Sequence, residues 1–213
     1  MEIGFVSDET ANRASRLLLI AGASGVGKTT LGKAVALGLD FDRTASSDMI
    51  REVLRSTTTP GDSPALHRST YSTGETGDAV TDWLDACAAV EGGFEAVVSR
   101  ARREGIDLVV EGAHIIPSNR LLNDWRDQGG VAIGVALVID NESIHHDRIV
   151  ERESNSHRGS ARYLAAFDRI RQIQSGLLIR AKGAGWKVID THLHDDGAER
   201  VRQWLDEAWY QQR

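Results

Sequence analysis

The segment 22–29 constrains this chain more than any other part of its sequence. It reads Gly-Ala-Ser-Gly-Val-Gly-Lys-Thr and fits the pattern G-x-x-x-x-G-K-[ST] without a mismatch. The apolar run 17–21 comes directly before it, and a helical pattern over 28–39 follows it. Glycines allow such a loop to turn so that successive backbone N–H groups point inward, and the following helix adds the positive end of its dipole. The segment therefore predicts a phosphate-binding loop between a buried strand and a helix.

The pattern is the Walker A motif, and it predicts a role for each part of the loop. Lys28 is expected to bridge the β- and γ-phosphates of a nucleotide, and Thr29 to give a hydroxyl ligand to Mg²⁺. Thr30 is expected to cap or pack. The expected cofactors are ATP and Mg²⁺. The predicted nucleotide-binding residues are Gly22, Ala23, Ser24, Gly25, Val26, Gly27, Lys28, Thr29 and Thr30.

Apolar runs alternate with helical patterns along the whole chain. The runs at 17–21, 106–111, 131–139 and 186–190 predict four strands, and a further strand is expected at 43–46. Strand followed by helix, five times over, predicts a mostly parallel sheet with helices on both faces. The expected fold class is therefore α/β, a P-loop NTPase of the nucleoside and adenylate kinase-like type with a helical, Arg-rich lid. We predict a single P-loop kinase domain over 1–213.

Two stretches are harder to interpret. The segment 56–77 is rich in Ser, Thr, Gly and Pro, and it predicts a long loop with one helical turn near 67–71. The pattern over 80–104 predicts a long helix, although the pair Gly92-Gly93 could kink it or divide it in two. A helix capped by Ser47 or Asp48 is expected after the second strand. A further helix is expected to begin at Tyr163 and run to about residue 181.

Composition excludes several classes of function. The formal net charge of −6 argues against a nucleic-acid partner, because binding phosphates along a duplex requires a basic face. The apolar run 17–21 is far shorter than the ~20 residues that a membrane span needs. The single cysteine, Cys87, fits a reducing compartment and packing inside the core. We expect a cytoplasmic protein, a monomer or homodimer, with neither a membrane nor a nucleic acid as partner.

Two carboxylates follow predicted strands and are candidates for catalysis. Glu111 ends an apolar strand, where it can hold Mg²⁺ through water, although strand ends also carry solvated charges. Asp48 follows the second strand, where it can align an acceptor hydroxyl and take its proton, or merely cap a helix. Since the carboxyl ends of parallel strands face the ligand crevice, we expect both side chains to line it.

Basic residues near these carboxylates are candidates for an anionic acceptor. Arg51 lies one helical turn after Asp48 and Arg55 one turn further, in a predicted acceptor-binding region over 48–77. A solvated basic helix face is the alternative for both. His114 lies just past a strand end and is expected to contact the acceptor or to be structural.

A third group of basic residues predicts a closing segment over 143–170. Arginines brought down by such a lid can neutralise the charge that develops during phosphoryl transfer while water is excluded. The expected lid residues are Arg148 and Arg152, assigned to catalysis, with Arg158 and Arg162 assigned to substrate binding. An exposed charged helix, paired with Glu151 and Glu153, is the alternative. Arg169 and Arg171 are further anion-binding candidates, and the segment 190–192 is expected to flank the adenine.

Four segments together resemble the 2-phosphoglycerate kinases, P-loop enzymes that make 2,3-bisphosphoglycerate from ATP and 2-phosphoglycerate. They are 22–30, 47–55, 110–117 and 162–174, and the second and third are more specific to this group than the first. The resemblance implies that Asp48, Arg51, Glu111 and His114 face an acceptor that carries a phosphate or a carboxylate. The stretch 56–77 looks divergent, and so the acceptor itself stays open.

Three other functions remain to be distinguished. A P-loop kinase of another acceptor class, such as a nucleoside, a sugar acid or an antibiotic hydroxyl, keeps the fold and changes only the pocket. A regulatory NTPase predicts slow hydrolysis without an acceptor, and an arginine-rich lid argues against it. An RNA-end kinase is disfavoured by the acidic charge balance.

Overall fold

One parallel sheet organises the described part of the chain, residues 14–154 and 161–211 of this computed structural model. Its strands are β1 (Arg16–Gly22), β2 (Arg43–Ser46), β3 (Leu108–Gly112), β4 (Val131–Val138) and β5 (Lys187–Asp190). The order is β2-β3-β1-β4-β5, and every pair is parallel. The predicted α/β fold with a five-stranded parallel sheet is confirmed.

Helices cover both faces of the sheet. They are α1 (Lys28–Gly38), α2 (Ser47–Arg55), α3 (Pro64–His67), α4 (Ala79–Glu104), α5 (Arg120–Arg126), α6 (Glu142–Ser154), α7 (Ala161–Ala165), α8 (Phe167–Gly183) and α9 (Gly197–Gln211). Leu17 and Leu19 of β1 share one core with α4, α5 and α8, whereas Leu18 and Ile20 share the other with α1 and α9. Because successive strand residues point to opposite faces, the continuous apolar run of β1 supplies both cores.

The sheet topology brings several loops to one edge. β1 lies between β3 and β4, and the chain leaves β1 toward the β2 edge of the sheet but leaves β3 and β4 toward the β5 edge. Such a switch point opens a crevice at the carboxyl ends of the strands. The loop 22–27 leaves β1 at this point, Glu111 lies near the end of β3, and α2 starts directly after β2.

The glycine pair in α4 does not divide the helix. α4 continues through both residues from Ala79 to Glu104. A Cβ atom on Gly93 would lie 2.9 Å from Cγ2 of Ile50 and 3.1 Å from Cδ1 of Leu54, whereas one on Gly92 would meet nothing within 4 Å. Gly93 therefore allows α2 to pack closely on α4, and the predicted long helix is not divided.

Three predicted boundaries also differ from the structure. The helical turn in the long loop is α3, which begins at Pro64, because proline is favoured in the first turn of a helix. Ser46 caps α2 through its hydroxyl, which accepts from the Asp48 N–H, so neither predicted cap residue serves as the cap. The helix expected from Tyr163 is two helices, α7 and α8, separated at Ala166.

Two simpler expectations concern the membrane and the cysteine. Among the described residues, no helix combines the length and the apolar character needed to cross a bilayer. Cys87 of α4 is buried in the core, and burial raises the pKa of its thiol well above the ordinary value. Its predicted role in packing is confirmed.

Candidate active site

Side chains from three other segments hold the carbonyl groups of the loop after β1. Nζ of Lys28 donates to the Ala23 carbonyl at 2.6 Å. Nε2 of His145 lies 2.7 Å from the Ser24 carbonyl, and Oγ1 of Thr191 donates to the Val26 carbonyl at 3.1 Å. A peptide group is planar and trans, so a carbonyl fixed on one side directs the next N–H to the other. Each held carbonyl therefore sets the direction of the N–H group that follows it in the chain.

The two glycines that follow these carbonyls have left-handed backbone conformations. Gly25 has φ +83° and Gly27 has φ +85°, values that side chains with a Cβ rarely adopt. Gly27 also precedes the first turn of α1, whose N–H groups open toward the crevice. A glycine-rich loop that leads directly into a helix N-terminus is an arrangement that binds phosphate groups.

Thr29 and Glu111 lie side by side at the end of the loop. Oγ1 of Thr29 is 3.2 Å from Oε1 of Glu111, and Thr29 is exposed whereas Glu111 is half-buried. Both are hard oxygen donors of the kind that Mg²⁺ prefers, and Mg²⁺ usually takes few protein ligands, with water and phosphate completing the set. The described residues contain no group of three or more His, Cys, Asp or Glu arranged for a metal. Two oxygen ligands at this distance fit Mg²⁺ that is delivered with a nucleotide.

Two adjoining clefts meet at the start of α1. The larger, of about 630 Å³, extends from the loop to α2, and the smaller, of about 490 Å³, extends toward α6. Lys28 and Thr29 line both clefts. The larger cleft is lined in addition by Ser24, Asp48, Met49, Arg51, Glu52, Arg55, His67, Ser69, Thr70, Tyr71, Glu111, Ala113, Arg162 and Tyr163.

Asp48 lies in the larger cleft with its carboxylate largely open. Its side chain is 70% exposed, and Oδ1 is 3.5 Å from Nδ1 of His114. Because Ser46 caps α2, the Asp48 carboxylate is not used as a cap. It is therefore available to accept a hydrogen bond from a ligand hydroxyl.

His114 lies beneath the cleft rather than at its surface. Its side chain is completely buried, with Nδ1 3.1 Å from Oγ of Ser47 and Nε2 2.8 Å from Oγ1 of Thr70. Burial lowers the pKa of this imidazole to about 4, even though Asp48 opposes the shift. The expectation that His114 touches the acceptor is not supported by this arrangement. The residue joins α2 to the long loop.

A close approach between α2 and β3 makes this link possible. A Cβ atom on Gly112 would lie only 1.7 Å from Oγ of Ser47. The same hydroxyl accepts from the backbone N–H of His114 at 3.3 Å. Only glycine at position 112 leaves space for the hydroxyl, so the short motif Glu111-Gly112-Ala113-His114 positions the start of α2.

Arg51 and Arg55 line the larger cleft but already have partners. Nε of Arg51 donates to the Leu66 carbonyl at 3.0 Å, and Nη2 donates to the Arg68 carbonyl. Burial lowers the pKa of Arg51. Nη1 of Arg55 donates to Oε2 of Glu52 at 3.1 Å. Arg51 thus first of all holds the loop after α3, a role that the sequence pattern did not suggest.

The rest of the long loop is organised by a buried carboxylate that sequence reasoning missed. Asp82 of α4 is 1% exposed and accepts from the Gly74 N–H at 2.7 Å and from Oγ1 of Thr76 at 2.8 Å. Nη2 of Arg169 completes the site at 2.8 Å. Burial alone would raise the pKa of Asp82, but these hydrogen bonds lower it to about 2. Arg169, expected to bind an anionic substrate, instead anchors the loop.

The structure describes the side chains of two of the four predicted lid residues, Arg148 and Arg162. Arg148 of α6 lines the smaller cleft, and its Nη2 donates to the Thr191 carbonyl at 3.3 Å. Arg162 is exposed at the mouth of the larger cleft, with its guanidinium 5.1 Å from the ring centre of Tyr163. Arg158 and the side chain of Arg152 lie outside the described residues. Two of the four arginines are therefore placed at the clefts, one at each.

The structure revises the expected role of Arg171 and leaves the expected role of the segment 190–192 untested. Arg171 donates to the Ile139 carbonyl at 2.6 Å and to the Asp140 carbonyl at 2.8 Å, so it ties α8 to the end of β4 instead of waiting for an anion. Asp190 accepts from the backbone N–H groups of Asp140 and His192 and shapes the turn after β5. Contact of this turn with adenine stays a prediction.

Three features define a P-loop NTPase of the kinase type. They are the sheet order, the phosphate-binding loop after the central strand and the acidic end of the neighbouring strand. Among solved structures, shikimate kinase from Bacteroides thetaiotaomicron superposes with a TM-score of 0.56 at 18% identity, covering 90% of this chain and 98% of that one. This likeness concerns the fold. No protein-family model matches the chain.

Two curated relatives are closer in sequence. The 2-phosphoglycerate kinase of Methanothermobacter thermautotrophicus is 32% identical over 185 residues, which cover 82% of this chain and 60% of that protein. The mevalonate-3-phosphate 5-kinase of Thermoplasma acidophilum is 30% identical over 203 residues, which cover 91% of this chain and 95% of that protein. The chain belongs to the 2-phosphoglycerate kinase-like family of P-loop small-molecule kinases. It spans about 60% of the length of the 2-phosphoglycerate kinase.

Proposed function

We propose that this protein transfers the γ-phosphate of ATP to a hydroxyl group of an anionic metabolite, one that carries a phosphate or a carboxylate. The observation that carries the proposal is the position of Lys28 and Thr29, which line two adjoining clefts at once. A nucleotide in the smaller cleft then presents its terminal phosphate to an acceptor in the larger one. Glu111, 3.2 Å from Thr29, lies at the same junction.

The residues at the junction have separate roles in this reaction. Lys28 and Arg148 stabilise negative charge on the phosphates, and Asp48 accepts the hydrogen bond of the acceptor hydroxyl and aligns it for in-line attack. Thr29 and Glu111 would hold Mg²⁺, which supplies charge neutralisation between the phosphates when it is bound. Transfer is direct, without a covalent intermediate on the protein.

The basic rim of the larger cleft supports an anionic acceptor. Arg55 of α2 and Arg162 of α7 line it, together with Arg51. Arginine is suited to phosphate and carboxylate because its planar group forms two parallel hydrogen bonds. The names of both curated relatives specify a phosphorylated acceptor, 2-phosphoglycerate in one case and mevalonate 3-phosphate in the other.

A screen of ATP consumption with product mass tests the proposal. The purified chain would be incubated with Mg²⁺, ATP and single metabolites: 2-phosphoglycerate, mevalonate 3-phosphate, other phosphorylated hydroxy acids, sugar acids and nucleosides. We expect ADP release that depends on one phosphorylated or carboxylated acceptor, and a product heavier by one phosphoryl group.

Two other outcomes would contradict parts of the proposal. Turnover only with an uncharged nucleoside or antibiotic hydroxyl would leave a kinase but overturn the anionic acceptor. Slow ATP hydrolysis that no acceptor accelerates would instead favour a regulatory NTPase.

A further inference from the structure

His145 is a buried histidine that the reaction described above does not use. It lies on the first turns of α6 and has no exposed surface. Nε2 lies 2.7 Å from the Ser24 carbonyl of the phosphate-binding loop. Nδ1 lies 3.3 Å from Nη1 of Arg171, and the ring packs edge-on against Phe167.

The partners of His145 determine which ring nitrogen carries the proton. A guanidinium group can only donate, so Nδ1, which faces Arg171, must accept. A backbone carbonyl can only accept, so Nε2 must donate to Ser24. Both requirements are met by the neutral imidazole with its proton on Nε2. Burial, together with Arg171, lowers the pKa of His145 and favours this neutral form.

A second contact joins α6 to the same turn of the loop. Ile149 lies one helical turn after His145, and a Cβ atom on Gly25 would be 2.7 Å from its Cγ1. His145 thus holds the carbonyl side of the Ser24–Gly25 peptide while Ile149 packs on Gly25. Because the peptide is planar and trans, the N–H of Gly25 points away from His145.

We propose that His145 is a positioning residue for the phosphate-binding loop: by holding the Ser24 carbonyl, it keeps the Gly25 N–H directed at the nucleotide phosphates and ties the loop to α6. This inference depends on the proposed function, since it assumes that the loop binds Mg·ATP. Arg148 lies on the same helix and lines the smaller cleft, so the bond also sets the distance between the loop and that arginine.

Four variants and calorimetric titration with Mg·ATP, without acceptor, test the proposal. His145→Leu removes the donor and keeps most of the volume, whereas His145→Gln places an amide nitrogen near the position of Nε2. His146→Leu is the matched control, because His146 also packs edge-on against Phe167 but is half-exposed and lies on another side of α6. If His145→Leu does not fold, His145→Met replaces it, since its flexible side chain fills the same space without a donor.

We expect His145→Leu to weaken Mg·ATP binding by about tenfold or more, because the Ser24 carbonyl loses its hydrogen bond to His145 and the loop relaxes. His145→Gln should stay within about threefold of wild type, and His146→Leu should be unchanged. In steady state, the KM for ATP should rise in His145→Leu much more than the KM for the acceptor, a split that a general loss of folded protein does not produce.

The negative outcomes are separable. If wild type itself binds no Mg·ATP, the proposed function fails and the role of His145 falls with it. If wild type binds and His145→Leu binds equally well, the positioning role alone is overturned. Equal weakening in His145→Leu and His145→Gln would assign the effect to packing and would also overturn it.

Discussion

At the scale of single residues, some side chains at the larger cleft are open to a ligand, whereas others hold neighbouring segments of the chain in place. Asp48 and His114 were both expected to face the acceptor, yet the Asp48 side chain is 70% exposed and that of His114 is completely buried. Thr70 and Ser47 occupy both ring nitrogens of the histidine. Of these two residues, Asp48 is the one whose side chain opens into the larger cleft.

The substitution Asp48→Asn tests this assignment. We expect kcat to fall by about 10²-fold or more, because the amide accepts the hydroxyl hydrogen bond poorly and cannot take its proton. Affinity for Mg·ATP should change little, since Asp48 lies in the acceptor cleft. Single-turnover kinetics and calorimetry would measure the two quantities, with Asp147→Asn as an exposed control on α6. Full activity in Asp48→Asn would show that the assigned role is wrong.

The burial of His114 predicts that the free energy of unfolding depends on pH. Its pKa is about 4 in the folded protein and about 6.5 when unfolded, so the unfolded chain takes up the proton first as pH falls. Stability contributed by His114 is therefore complete above pH ~6.5 and is lost as pH falls toward 4, by at most about 3 kcal/mol. Urea unfolding across this range should show a steeper loss for wild type than for His114→Gln. Parallel curves for the two proteins would contradict the neutral buried form.

At the scale of elements, α2 is held by three neighbours so that its N-terminus meets the crevice. Gly112 lets Ser47 approach β3, His114 ties the helix to the loop at Thr70, and Gly93 lets it pack on α4. Arg51 then fastens the loop that follows α3. The arrangement makes the position of Asp48 depend on packing at both ends of the helix.

The adjacent glycines of α4 provide a matched test of this packing. Gly92→Ala should stabilise the protein by about 0.5–1 kcal/mol, because alanine favours the helix and its Cβ meets nothing. Gly93→Ala should be less stable than Gly92→Ala by roughly 1–3 kcal/mol, since its Cβ would press on Ile50. The free energy of unfolding in urea decides between them. Equal stability of the two variants would mean that α2 does not need the gap.

At the scale of the whole molecule, one edge of the sheet collects every part of the proposed reaction. Four parts of the chain converge there because all the strands run in the same direction. They are the loop after β1, α2 after β2, Glu111 in β3 and α6 after β4. A ligand bound at this junction would contact elements from both halves of the sheet. A nucleotide should therefore stabilise the fold as a unit.

Thermal unfolding with and without Mg·ATP tests that expectation. At a nucleotide concentration of 100 times Kd, binding adds about 2.7 kcal/mol, which should raise the Tm by roughly 5–10 °C for a chain of this size. Lys28→Ala should lose most of the shift and all turnover. Lys33→Ala, an exposed lysine on the same helix, should keep both. A shift of the same size in Lys28→Ala would contradict the assignment of the loop as the nucleotide site.

The sequence by itself determined the features that depend on local pattern. Short apolar runs identified the strands, and the eight residues 22–29 identified the loop, because glycine spacing and flanking elements are read within one stretch of chain. The tertiary structure decided what each polar side chain does. Four residues looked like ligand-binding groups, but each is paired with a backbone carbonyl or a side chain distant in the sequence. They are Arg51, Arg169, Arg171 and His114. Asp82 and His145 gave only weak signals, a charge within a helical pattern and a histidine one turn before Ile149. Burial and hydrogen-bond partners arise from segments brought together by folding, and no local spacing encodes them.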